Sequence, residues 1–378
     1  MNVIVAGDFC DMFRVTELIR DKEYSKMFGN IKDIVSNADF SFVNFEFPIV
    51  AYAGKPIPKC GPNLKGQPES VDAIKYAGFN CCTLANNHIL DQGEECLLET
   101  KNRIERAGLK TVGAGANIFG ASEILYLHKG DKILAVINAC EHEFSIATET
   151  TPGANPLNPI QQFYKIHEAR QKADYVMVIV HGGHEHYQLP SPRMKEIYRF
   201  FVDVGADAVV NHHQHCYSGY EVYKGKPIFY GIGNFLFDSK SERNSNWNEG
   251  YVVELFFCKT ISFNLIPYTQ CTKEATIALM TDTKLIDFNN RISKLNEIIH
   301  DSNKLVTFYK ELIVSKSRVQ RLVFSPYSNR YLRALAYRGW IPTFMGQKKL
   351  LELINYISCE SHRDISLSML SQLSKYKI

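Results

Sequence analysis

Five polar groups stand where apolar runs end. Asp8 follows Ala6-Gly7, Glu46 follows Val43-Asn44-Phe45, and Asn86-Asn87-His88 follows Thr83-Leu84-Ala85. His181 closes Val178-Ile179-Val180, and His212-His213-Gln214-His215 follows Val209-Val210-Asn211. Carboxylate, amide and imidazole donors together suit zinc, manganese or iron better than a soft thiolate set would. Each group alone has an ordinary explanation. An Asp after Gly is commonly a turn residue, a Glu before Phe-Pro a surface charge, and Asn-Asn-His a loop. Three imidazoles within four positions, directly after a buried run, are harder to explain by structure alone. Taken together the groups predict a centre that holds divalent transition metal.

The elements that position these groups alternate. Short β-branched runs at 3–6, 40–45, 82–85, 133–138, 175–180 and 208–211 predict buried strands. Helical periodicity lies between them at 27–37, 69–77, 93–107, 159–172 and 191–204, the last opening on Ser191-Pro192, a cap followed by a first-turn proline. Runs at 228–232, 251–257 and 262–268 follow one another without helices and predict an antiparallel closing sheet. The class is α/β, with the donors at the carboxyl ends of strands, where open α/β sheets hold ligands.

Beyond Cys271 the character changes. Leu285, Phe288, Ile292, Leu295 and Ile299 recur at helical spacing, Ser302 interrupts, and Val306, Tyr309 and Ile313 continue the stripe. From Val314 to Leu351 there is no acidic residue, whereas Lys316, Arg318, Arg321, Arg330, Arg333, Arg338, Lys348 and Lys349 are basic. The expected organisation is a domain over 1–270 and a helical appendage over 271–378, through which the chain could oligomerise. A net charge of +3 gives no global argument for nucleic acid. Ten cysteines without a C-x-x-C pair predict buried reduced thiols rather than a disulfide framework. No signal peptide or membrane span is visible in this chain, and the expected compartment is the cytoplasm.

The motifs Leu84-Ala85-Asn86-Asn87-His88-Ile89-Leu90-Asp91-Gln92-Gly93, Val112-Gly113-Ala114-Gly115, His181-Gly182-Gly183-His184-Glu185-His186-Tyr187 and Gly231-Ile232-Gly233-Asn234-Phe235-Leu236-Phe237-Asp238 occur in this order. They resemble the CapA family of poly-γ-glutamate capsule synthesis proteins, which share the calcineurin-like metallophosphatase fold. The resemblance covers roughly residues 2 to 238. It implies a four-layer α/β/β/α sandwich, to which the appendage would be added. It also implies that Asp8 and His215 hold one metal and Asn87, His181 and His213 the other, with Glu46 bridging. His88 would be an acid close to the metals, and Glu185 would face substrate or support the site. Asn44, Asn86 and His184 would lie around the ligands. Two departures stand out. Cys10 occupies the position of the family's second metal-holding residue, a His, and is read as a buried bystander, leaving the first ion a thinner shell. His212 stands where a Gly is expected, either as an extra polar group at the site or as a packed side chain.

Such a centre suits hydrolysis of a phosphoester or of a peptide or γ-glutamyl bond, and fold does not choose between them. The resemblance makes an anionic or peptide substrate the expected partner, with Arg318, Arg321, Arg330 and Arg333 as weak candidates for holding it. The same basic residues would serve equally as a solvated helical face. Two further functions remain open on the sequence: a non-catalytic capsule-polymer binding or assembly factor, and a metal-dependent peptide epimerase.

Overall fold

The computed structural model describes residues 1–51 and 53–358, together with 362, 365, 366 and 370, but not the side chains at 318, 320, 321 and 358. The first strand, Asn2–Cys10, is buried from Val3 onward. Both of its faces are covered, which is why its sequence is a continuous apolar run. Phe40–Phe45, Cys81–Thr83 and Lys110–Val112 extend the sheet on one side by parallel pairing. Glu249–Phe256, Ser262–Gln270 and Ile277–Leu279 extend it on the other side by antiparallel pairing. A second sheet runs in the order Tyr220–Tyr223, Lys226–Phe229, Ala208–His212, Tyr175–His181, Lys132–Cys140, Leu125–Lys129.

The side chains sort into three cores that define four layers. Val3, Val5 and Phe42 of the first sheet meet Met177, Ile179, Ala208 and Val210 of the second in a core between the sheets. Ile4, Ala6, Val43 and Phe45 point the other way, toward helices that supply Val15, Ile19, Val35, Ile74, Leu97 and Ile104. Val178, Val180 and Val209 face helices Pro159–Lys172 and Pro192–Asp203 on the outer side of the second sheet. The architecture is therefore the expected four-layer α/β/β/α sandwich. Ser191 caps its helix as its sequence suggests, the Oγ accepting from the Met194 amide at 3.1 Å.

Three expectations need correction. The helix foreseen over 27–37 is two, Tyr24–Phe28 and Ile31–Ser36, because Gly29 between them takes a left-handed φ of 46°. The run at 228–232 contributes Lys226–Phe229 to the second sheet, parallel to Ala208–His212, and does not join the antiparallel closing strands. The chain leaves that sheet at Gly233, with φ 79°, where a Cβ would lie 2.7 Å from the Glu249 carbonyl oxygen. It then lays Asn234–Phe237 along the end of the first strand. The apolar stripe from Leu285 does not continue past Ser302. Phe288 and Ile292 of helix Asp282–His300 are buried against Tyr217 and Tyr251 in the core between the sheets, whereas Val306 and Ile313 are exposed.

The chain accordingly divides into two compact units, Met1–Leu305 and Val306–Ile378, and the boundary read between 270 and 271 falls inside the first. The second unit is helical, including Arg330–Tyr337 and Gln347–Ser358. Among the described residues no helix is long and apolar enough to cross a membrane. All nine described cysteines are free. Seven are buried, and Cys60 and Cys258 are exposed. Cys359 lies outside the described residues.

Candidate metal centre

The donors converge because strands from both sheets end at one edge of the sandwich. Asp8 enters the site at a register shift between the first strand and Phe40–Phe45. Gly7 before it admits no side chain, since a Cβ there would stand 1.8 Å from the Gly233 carbonyl oxygen. His181 and His212 end neighbouring strands and pair directly in register. Past that end, His213 and His215 take left-handed φ values of 89° and 55°. Such backbone costs a non-glycine residue about 1–3 kcal/mol and is concentrated at functional sites.

The buried side chains form three overlapping donor sets, each with its ligand atoms within 4.8 Å of one another: Asp8, Glu46 and His215; Glu46, His181 and His213; and Asp8, His181 and His212. Asn87 joins the second set, its Oδ1 3.0 Å from His181 Nε2. His213 Nδ1 is also 3.0 Å from His181 Nε2. Glu46 is common to the first two sets, with Oε1 3.5 Å from His181 Nε2 and 3.9 Å from His215 Nε2. That oxygen is fully buried and has no hydrogen-bond partner. A buried carboxylate oxygen without a donor is costly unless a cation stands against it.

The electrostatics say the same. Burial raises the Asp8 carboxyl above its ordinary value despite the pull of His215, and raises Glu46 well above its own, with Asp8 and Glu185 adding to the effect. Burial also pushes His181 well down, His215 to about 4 and His212 to about 3. The pocket thus disfavours both ionised carboxylates and protonated imidazoles while crowding them together. A divalent cation bound to neutral imidazoles and charged carboxylates resolves that conflict.

Around the ligands, Asn44 donates from Nδ2 to Asp8 Oδ1 at 2.7 Å and stands 3.2 Å from His181 Nδ1. Asn86 donates to Asn44 Oδ1 and to the Phe45 carbonyl, and its own Oδ1 accepts from the His88 amide. These two amides tie the loop after Ala85 to the strand that carries Asn44. His88 presents Nδ1 to Asp91 Oδ2 at 2.6 Å, with Lys59 Nζ 2.5 Å from the other Asp91 oxygen. Glu185 is exposed and shares with His88 and His215 a cleft of about 270 Å³ walled by Phe13, Phe237 and Trp247. His184 is exposed, joins none of the donor sets and lies beside Tyr187, so it is not part of the buried centre. Cys10 is buried in the helix-side core and is in none of the sets. Burial first, then Glu46, raises its thiol well above the ordinary range. Arg330 and Arg333 are exposed in the second unit, and the side chains of Arg318 and Arg321 lie outside the described residues.

Some participants carried no separate signal. Glu143 accepts from Asn87 Nδ2 at 3.2 Å and approaches His213 Nε2 at 3.9 Å, and nothing in its local sequence marks it. Asn234 orients His215, with 2.9 Å between its Oδ1 and His215 Nδ1. Asn234 and Asp91 both lie inside quoted motifs, so their positions were visible and their roles were not.

A family model described as bacterial capsule synthesis protein PGA_cap matches residues 2–239. The chain belongs to that family. Among its relatives, the capsule biosynthesis protein CapA of Bacillus anthracis is 32% identical over 246 residues, 63% of this chain and 60% of that protein. The PGA biosynthesis protein CapA of Bacillus subtilis (strain 168) is 31% identical over 242 residues, 63% of each. The chain therefore matches less than two thirds of the length of these curated relatives. Among solved structures, a hypothetical protein from Thermus thermophilus aligns with TM-score 0.44 and 17% identity, over 71% of this chain and 99% of that one. A 5'-nucleotidase from Candida albicans aligns with TM-score 0.41 and 10% identity, over 84% of this chain and 57% of that one. Both scores are too low for either likeness to bear on function.

Proposed function

We propose that this protein is a hydrolase dependent on two divalent transition-metal ions, cleaving a phosphoester or a peptide or γ-glutamyl bond in the making of an anionic capsule polymer. The observation that carries the reading is Glu46, a buried carboxylate shared by two donor sets with one oxygen left unpartnered between His181 and His215. Asp8, Glu46 and His215 would hold one ion, and Glu46, Asn87, His181 and His213 the other. Two ions so held would supply acidified water and positive charge for a developing oxyanion.

The chain's own groups do the rest. His88 has Nδ1 engaged by Asp91, which fixes the ring and leaves Nε2 for the cleft that His88 lines. An imidazole oriented by a carboxylate can deliver a proton to a departing oxygen or nitrogen. Glu185, exposed on the same cleft, can hold the positive charge of a leaving amine. The polymer substrate rests on the family description and on the names of the Bacillus relatives.

The test is His88→Asn assayed on a phosphodiester and on γ-linked glutamate oligomers. The variant should keep its metal and lose roughly 10²–10⁴-fold in kcat, with little change in KM. Mass spectrometry of the products separates the alternatives: hydrolysis adds water, epimerisation leaves mass unchanged, and a binding factor turns nothing over. Full kcat in a metal-loaded His88→Asn removes this residue from the mechanism.

A further inference from the structure

Residues 314–351 hold no Asp or Glu. Lys316, Arg330, Arg333, Arg338, Lys348 and Lys349 are exposed along them. Interleaved with these charges, side chains that ordinarily seek a core stand in solvent. Val314 is 72% exposed, Tyr331 64%, Trp340 70% and Phe344 68%. The two kinds of residue are in contact. The Arg330 guanidinium lies 4.7 Å over the Tyr331 ring, and that of Arg338 lies 5.5 Å from the Trp340 ring. In helix Gln347–Ser358, Leu350, Ile354 and Ile357 recur at three- and four-residue steps and are exposed, with Lys348 and Lys349 off that stripe.

Single exposed apolar residues need no partner, but a run of them within one short, predominantly basic segment does. The composition says which partner. A hydrophilic polyanion would satisfy the charges and leave Trp340 and Phe344 in water. A second copy of the same face would set cation against cation, since the one carboxylate between Val314 and Ile357, Glu352, already pairs with Lys349 at 3.4 Å. An anionic lipid surface meets both demands. Its phosphates take guanidinium and ammonium groups, and its headgroup boundary takes Trp, Tyr and Phe. No described helix is suited to cross the bilayer, so the contact is interfacial.

We propose that the second unit carries a docking surface for anionic bilayers, built on the basic and aromatic residues between Val314 and Ile357. It stands independently of the bond cleaved at the metal centre. Each cation near such a surface is worth about fivefold in partitioning, the equivalent of ~1 kcal/mol.

The chain contains two tryptophans, and Trp247 is buried at 8% exposure, so Trp340 reports on this surface. The full chain is mixed with vesicles of phosphatidylcholine alone or of phosphatidylcholine with phosphatidylglycerol, and emission and co-sedimentation are read. Binding to the anionic vesicles, a blue shift absent in a Trp340→Phe sample, and release by salt are expected. Replacing Arg330, Arg333 and Arg338 together by Gln should weaken partitioning roughly 10²-fold, and these exposed positions leave the fold intact. Three outcomes overturn the proposal: equal or no binding to the two vesicle types; a Trp340 signal already blue-shifted in a dimer without lipid; or a shift with soluble poly-γ-glutamate and none with vesicles.

Discussion

Replacing Glu46 with Gln should have opposite effects in the presence and absence of metal. Without metal, Glu46 is a fully buried carboxyl with an unpartnered oxygen, close to Asp8 and raised well above its ordinary value by burial. A neutral amide of the same shape relieves that burden, so the chelated variant should melt no lower than the chelated parent. With metal, the parent gains RT ln(1 + [L]/Kd), which is about 2.7 kcal/mol at a hundred times Kd. For a unit of this size that is roughly a 5 °C rise in Tm. Removing a group that merely orients a ligand typically costs 10–100-fold in affinity. A carboxylate serving two ions should therefore cost at least about 100-fold, which reduces the gain to about 0.4 kcal/mol at the same metal concentration. Scanning calorimetry with zinc, manganese or iron and with chelator, paired with elemental analysis of the same samples, reads both arms. A variant that keeps the metal-dependent rise refutes the shared-ligand assignment. One that melts several degrees lower in chelator makes Glu46 a structural residue instead.

Three other outcomes are expected. Cys10→Ala should leave metal content unchanged, because the thiol belongs to the helix-side core, and loss of one ion with the fold intact would make Cys10 a ligand. In chelated protein, the depressed His212 contributes stability that is complete above its unfolded value near 6.5 and declines as pH falls toward about 3. Between pH 6.5 and 5 that loss is roughly 2 kcal/mol. His215 acts with the same sign and the raised Asp8 and Glu46 with the opposite one. The comparison is therefore between parent and His212→Asn by urea unfolding across this range, and identical pH slopes would contradict it. Ending the chain at Leu305 should leave a folded, metal-binding unit, whereas ending it at Cys271 should not. The shorter form loses the burial of Phe288, Ile292 and Ile299, roughly 5–9 kcal/mol at about 1.5–3 kcal/mol each. A cooperative melt of the shorter form would count against this.

The donors were legible because each is a polar residue at the end of a buried strand, and a strand covered on both faces writes itself as an apolar run. Asp8, Glu46, Asn87, His181, His213 and His215 were placed by that pattern and by the family resemblance together. The same logic misplaced the run near 228, since apolar strands of the two sheets look alike and only Gly233 shows where the chain changes sheets. It also carried the stripe of Leu285 past Ser302, although Asp301 ends the first helix, its Oδ1 accepting from the amides of Asn303 and Lys304.

What the sequence determined by itself was the kind of residue at each strand end, because burial and strand period are local properties of composition. Only the tertiary structure decided which donors lie within reach of one another. That Glu46 belongs to two donor sets depends on distances between groups more than a hundred positions apart, set by how two sheets pack. The same packing brought Glu143 to Asn87 and Asn234 to His215, and drew helix Asp282–His300 into the core between the sheets. Contacts of that range are fixed by the packing of whole layers, and no local periodicity records them.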